Sequence, residues 1–201
     1  MKVIVVGATG KIGGAVVKLL TQKELEVIPV SINKTKIKVD ISSITSIRNM
    51  YKNIGHFDAL IATTGAVRFK HLSEVTSEDY LFGLQQKLMG QVNLVLEGLN
   101  HINDNGSFTL TSGILNYEPI TTGTSAAMVN SALEGFVTSA CNEMTHGRRI
   151  NIVSPTVITE ALETYEPFFK GYVSVDAKTA AMAYYKSISN LHNGYIYRVG
   201  F

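Results

Sequence analysis

The chain has 201 residues, 45% hydrophobic and 17% charged, enough to bury a sizeable core in one domain. Its formal net charge of +2 is too small to argue for nucleic acid or an acidic membrane surface as a partner. One cysteine excludes an internal disulfide, and no C-x-x-C or H-x-x-x-H spacing offers a metal site.

Residues 3–6 are a β-branched run that predicts a strand. The run breaks into Gly7, Gly10 and Gly13, and an apolar-periodic helix is expected over 12–21. Strand, glycine turn and helix start in that order suit a phosphate site. A helix N-terminus carries unpaired N–H groups and partial positive charge, and glycine lets backbone approach a pyrophosphate. The spacing is G-x-x-G-x-x-G, and the glycines can equally serve strand–helix packing. The opening apolar run is too short for a signal peptide or a membrane span, so a cytoplasmic location is expected.

Further strands are expected over 26–30, 36–39 and 58–62, with a helix over 43–52 capped by Ser42 or Ser43. Apolar residues at helical spacing across 77–99 predict one or two helices. Asn105-Gly106 reads as a turn before a strand over 107–111. A helix rich in small residues follows over 125–144, with Cys141 expected as a buried, inert thiol. A strand over 149–153 should stop at Pro155. A helix over 175–189 and a strand over 195–199 close the chain.

Strands separated by helices imply parallel pairing through right-handed crossovers. The expected α/β fold is a single doubly wound parallel sheet of about seven strands with helices on both faces, spanning 1–201. Ligands of such sheets lie outside the carboxyl ends of the strands. That gathers 7–13, 31–36, 62–65, 111–124 and 154–159 around one cleft.

Taken together, the segments V-V-G-A-T-G-K-I-G, V-D-I at 39–41, A-T-T-G at 62–65, K-L-M-G at 87–90, G-S-F-T-L-T-S-G at 106–113, A-L-E-G-F at 132–136 and R-I-N-I-V-S-P-T at 149–156 resemble the short-chain dehydrogenase/reductase family. The resemblance covers almost the whole chain. It implies a Rossmann-type NAD(P)-binding domain and hydride transfer between a nicotinamide and a carbonyl or alcohol. It also implies a serine, a tyrosine and a lysine as catalytic machinery, with an asparagine behind them. In this chain the tyrosine position falls on Ala126, the lysine position on Asn130 and the asparagine position on Lys87. No Y-x-x-x-K occurs anywhere, and only Ser112 is kept in kind.

The candidate catalytic residues are therefore Ser112, Lys87 and Tyr117. Ser112 either contacts a substrate oxygen or is a polar residue in the turn. Lys87 either points inward, to serve a proton relay or an anionic substrate, or faces solvent on its helix. Tyr117 is either a replacement acid, slow at an unassisted pKa near 10, or a surface tyrosine.

Candidate cofactor residues are Gly7, Thr9, Gly10, Lys11, Ile12 and Gly13 for the pyrophosphate, and Asp40 and Ile41 for the adenine. Thr63, Thr64 and Gly65, in the A-T-T-G segment, are expected along the cofactor, Asn130 by a ribose hydroxyl, and Pro155, Thr156, Val157 and Thr159 by the nicotinamide. The turn after the second strand carries no acidic residue. Ser31, Asn33 and Lys34 there suit the 2′-phosphate of NADP, with NAD as the alternative. The aromatic residues around Phe168 can roof an apolar substrate or pack on a partner subunit.

Two readings follow. One is an NADP-preferring oxidoreductase acting on a small carbonyl or alcohol with an atypical proton donor. The other is a non-catalytic NAD(P)-binding sensor or regulatory protein. A homodimer or homotetramer is expected, with the helices of 77–99 and 125–144 paired across a two-fold axis.

Overall fold

A computed structural model of the chain describes residues 1–165 and 167–201. Seven parallel strands form one sheet in the order β3-β2-β1-β4-β5-β6-β7. They are β1 (Lys2–Val6), β2 (Glu26–Ser31), β3 (Ile37–Lys38), β4 (Phe57–Ala62), β5 (Ile102–Thr111), β6 (Arg149–Pro155) and β7 (Ile196–Val199). The helices are α1 (Lys11–Gln22), α2 (Ile44–Ile54), α3 (Ser77–Gly83), α4 (Gly90–Gly98), α5 (Thr124–Ala140), α6 (Leu162–Tyr165) and α7 (Ala177–Ser189). The strand order reverses between β1 and β4, which opens a crevice at their carboxyl ends.

Alternation along the strands builds two cores. Ile4, Val6, Leu60, Phe108, Leu110 and Ile152 face α2, α4 and α5, where Ile47, Leu94, Val129 and Leu133 meet them. Val3, Val5, Ala59, Ile61 and Val153 face α1 and α7, against Val16, Leu20, Ala181 and Tyr184. Each large apolar side chain buried this way contributes about 1.5–3 kcal/mol.

Three helix starts carry side-chain caps. Ser43 Oγ accepts from the Ser46 amide, Thr76 and Asp79 form a capping box, and Asp176 accepts from the Thr179 amide. Gly10 caps α1 with no side-chain hydrogen bond.

Several boundaries depart from expectation. β5 begins at Ile102, and Asn105-Gly106 lies inside it. Two steps along β4 from Phe57 to Ala59 oppose five along β5 from Ile102 to Ser107. The turn signal is thus absorbed as an irregularity, with Asn105 at φ +62. Pro155 does not stop β6 early; it is the strand's last residue and pairs in register with Val199, where its missing N–H is tolerated. β3 shortens to two residues, and α5 gives way to a 3-10 turn over Cys141–Glu143. Cys141 sits in that turn half-buried, not enclosed.

The expected helix over 77–99 is interrupted by a π-helical segment, Leu84–Met89, between α3 and α4. The wider π turn changes which residues face inward. Two latches fix the end of β5. Gln91 bonds both the N–H and the carbonyl of Thr111, at 2.8 and 2.9 Å. Thr111 gives its hydroxyl proton to Ala62 O, so the buried Tyr184 hydroxyl donates to Thr111.

Among the described residues, no helix is long and apolar enough to cross a membrane. Among the described residues, no group of three or more His, Cys, Asp or Glu is placed to hold a metal ion.

Candidate active site

The crevice at the β1/β4 switch encloses about 340 Å³. Its floor is the glycine turn. Gly7 adopts φ +84, and a Cβ there would lie 2.6 Å from Thr63 O. A Cβ on Gly13 would lie 2.1 Å from Gly7 O, so the third glycine is required for α1 to pack under the turn. Gly7, Thr9 and Gly10 line the crevice; Gly13 lies behind Gly7. Ile12 packs into the apolar layer beneath. Lys11 turns away, lining a separate hollow with Lys18 and Lys178 on the outer side of α1. A helix start without acidic residues or a side-chain cap leaves its amides to an anion.

Ser31, Ile32, Asp40 and Ile41 form one end of the crevice. The Ser31 hydroxyl accepts from the Lys34 amide at 3.0 Å and bonds Thr35 Oγ1 at 3.1 Å, which ties the turn. Asn33 and Lys34 are exposed on that turn and do not line the cavity. Asp40 Oδ1 accepts from the amide and hydroxyl of Ser42, at 2.9 and 2.6 Å. Thr63, Thr64 and Gly65 continue the wall past β4.

Lys87 points inward, held by the π segment. Its stem packs under Gly65, where a Cβ would meet Lys87 Cγ at 2.5 Å. The ammonium donates to Asn130 Oδ1 at 2.7 Å and to Ser112 O at 3.2 Å. No ion pair to Lys87 occurs among the described residues, and desolvation pulls its pKa from 10.5 down to about 8. The inward alternative is therefore the one realised.

Asn130, expected at the ribose, is 2% exposed. Its amide is taken up by Lys87 and by the Gly113 carbonyl, to which Nδ2 donates at 3.0 Å.

Ser112 follows β5, with its amide bonded to Val153 O. Its hydroxyl donates to Glu134 Oε1 at 2.7 Å. The Tyr117 hydroxyl donates to Glu134 Oε2, as does Asn116 Nδ2 at 3.0 Å. The sequence reading missed Glu134, although A-L-E-G-F contains it. A lone glutamate inside a small-residue helix was the available signal.

Beyond β6, Thr156 and Val157 are buried, and Thr156 Oγ1 has no hydrogen-bond partner. Thr159, by contrast, donates to Ser174 Oγ in an exposed bond. An unpaired buried hydroxyl beside Pro155 suits a polar ligand group such as an amide. Ala126, where the resemblance implies a tyrosine, packs among Ile114, Leu115, Val67, Phe69, Phe169 and Tyr172. Glycine cradle, free helix start and orphan hydroxyl together fit a dinucleotide laid along the strand ends.

Comparison with known proteins agrees with this geometry. A family model described as enoyl-(acyl carrier protein) reductase matches residues 7–191. Among curated proteins, hydroxynaphthalene reductase-like protein Arp2 of Metarhizium brunneum is 28% identical over 127 residues, 59% of this chain and 47% of that protein. Short chain dehydrogenase claC of Passalora fulva is 30% identical over 82 residues, 38% of this chain and 30% of that protein. These matches span less than half the length of either relative.

Among solved structures, the protein lin1944 from Listeria innocua is 44% identical, with 99% of each chain covered and a TM-score of 0.97. A small-chain dehydrogenase in complex with NADPH is 26% identical, covering 99% of this chain and 96% of that one at a TM-score of 0.89.

Proposed function

The chain belongs to the short-chain dehydrogenase/reductase family, and from that premise we propose that it is an NADP-preferring oxidoreductase interconverting a small carbonyl and its alcohol. The observation that carries the reading is an ammonium with no ion pair among the described residues, Lys87, whose stem packs against Gly65 of a crevice whose floor admits no Cβ. We assign the whole chain to one NAD(P)-binding domain.

Gly7, Thr9 and Gly10, with the α1 amides, would hold the pyrophosphate, and Asp40 and Ile41 the adenine end. Thr63, Thr64 and Gly65 would face the ribose, and Pro155, Thr156 and Val157 the carboxamide. The turn 32–36 lacks a carboxylate to claim a ribose diol and offers Lys34 and Lys36 to a 2′-phosphate. The NADPH complex of a relative supports that choice.

When bound, the nicotinamide supplies or accepts a hydride at the substrate carbon. The chain's own residues handle charge and proton. The Ser112 hydroxyl, whose one proton goes to Glu134 Oε1 in the structure, would turn it to the substrate oxygen. Lys87, one carbonyl away, stabilises the negative charge that develops there. Its pKa of about 8 keeps it charged at neutral pH and neutral in mild alkali.

Self-association through α3, α4 and α5 belongs to the same reading. Leu81, Met89, Leu96 and Met128 are exposed, and Gly135 has open space around it. A cytoplasmic location fits a protein that draws on a cellular NADPH pool.

One observation favours the sensor reading: the hydroxyls of Ser112 and Tyr117 both bond Glu134. NADPH consumption across a carbonyl panel, beside calorimetry with NADPH and NADH, separates the two. Turnover establishes the oxidoreductase. Tight binding that differs between redox states without turnover establishes the sensor.

A further inference from the structure

Glu134 lies on α5 one turn beyond Asn130 and is 6% exposed. It forms no ion pair among the described residues, and both of its oxygens accept hydrogen bonds. On one side the donor is the Ser112 hydroxyl, at the carboxyl end of β5. On the other it is the Tyr117 hydroxyl, on a residue 37% exposed. The Arg198 guanidinium stacks over the Tyr117 ring, 4.3 Å from its centroid.

The network runs from the crevice end of the sheet to the surface through three side chains, each with an exchangeable proton or a site for one. A neutral amide has a single acceptor oxygen and could not receive donors on both sides. The Glu134 carboxylate accepts from three neutral donors, and a carboxylate can take up and return a proton.

We propose that Ser112, Glu134 and Tyr117 form a proton path between solvent and the substrate oxygen, with Glu134 as its positioning residue. The direction of flow rests on the oxidoreductase reading. During reduction, Ser112 Oγ gives its proton to the developing alkoxide. Glu134 Oε2 takes the proton of Tyr117, the carboxylic acid so formed turns over, and it passes that proton to Ser112 Oγ. The phenolate so formed stands beside Arg198 and regains a proton from water, which leaves as hydroxide. One proton has moved from water to substrate, and every side chain ends as it began.

The test compares wild type, Glu134→Gln and Tyr117→Phe. Tyr117→Phe removes one oxygen from a partly exposed residue, so it keeps the test open if Glu134→Gln fails to fold. The first readout uses cofactor-free protein: solvent exchange of the buried Ser112 hydroxyl proton, followed by NMR. Both variants should slow it by about tenfold or more. The second is single-turnover NADPH oxidation with a carbonyl substrate. It should slow similarly, with NADPH affinity unchanged and the solvent isotope effect altered.

Hydroxyl exchange in Tyr117→Phe equal to wild type would overturn the path, whatever the activity. Lowered melting temperatures with an unchanged isotope effect would reduce Glu134 to a structural anchor. A wild type that turns over no carbonyl would sink the oxidoreductase reading, while the exchange measurement would still decide the path.

Discussion

Replacing Lys87 by methionine gives a signature in stability as well as in activity. In the folded protein desolvation holds the Lys87 pKa at about 8, against 10.5 for the free side chain. Below pH 8 both states carry the proton, and the folded state bears the full penalty of an enclosed charge. Between pH 8 and 10.5 the folded state is neutral there while the unfolded state is still protonated. Stability contributed at this site therefore rises with pH across that window.

At 1.36 kcal/mol per pH unit, the 2.5-unit gap corresponds to about 3 kcal/mol. Methionine also leaves Asn130 Oδ1 and Ser112 O without their donor, at about 1–3 kcal/mol, but that term does not depend on pH. The decisive quantity is the wild-type minus Lys87→Met difference in unfolding free energy, measured by urea titration from pH 6.5 to 10. It should be flat below about pH 7.5 and rise by roughly 2–3 kcal/mol by pH 10. A difference that stays level across the whole range would refute an enclosed ammonium.

In the same variant carbonyl reduction should fall by about a hundredfold or more, and wild-type kcat should decline as pH rises through about 8, read from a pH–rate profile. Gly13→Ala would drive a Cβ to 2.1 Å from Gly7 O, so its melting temperature and NADPH binding should both collapse. Gly135→Ala meets nothing within 4 Å in the single chain, so the helix should gain about 0.5–1 kcal/mol by denaturant titration of dilute monomer while sedimentation shows weakened self-association. Asp79→Asn weakens a carboxylate bonded to Arg68, Lys70 and the Thr76 amide. Those bonds hold the Asp79 pKa well below its ordinary value, so the wild type should lose this stabilisation as pH falls below about 4, a loss that Asp79→Asn lacks in paired acid melts. Lys34→Ala with Lys36→Ala should weaken NADPH binding severalfold and leave NADH unchanged by calorimetry.

The sheet was legible because its information is local. The short continuous apolar runs V-I-V-V and A-L-I-A, and the glycines that follow β1, state buried strand and turn directly. The glycine turn that floors the crevice was legible for the same reason. The surroundings of Lys87 and Ser112 were not, because their contacts join residues far apart in sequence. Lys87 faces inward through a π segment, and no periodicity count announces where an α-helix widens. Asn130 was expected at a ribose, but its pairing with Lys87 across 43 positions takes up its amide. Glu134 binds Ser112, Asn116 and Tyr117, 22, 18 and 17 positions away, so its role exists only once β5 and α5 are side by side. The early start of β5 was hidden by an Asn-Gly pair that bends the strand without ending it.

The central claim is that the glycine-floored crevice holds a pyridine dinucleotide phosphate. Isothermal titration of the purified protein with NADPH tests it most directly. One site per chain is expected, at a Kd on the order of 1 µM or tighter, about −8 kcal/mol, with NADH weaker. Absence of binding heat for NADPH and NADH alike, at a concentration near 1 mM where even −4 kcal/mol would register, would contradict it.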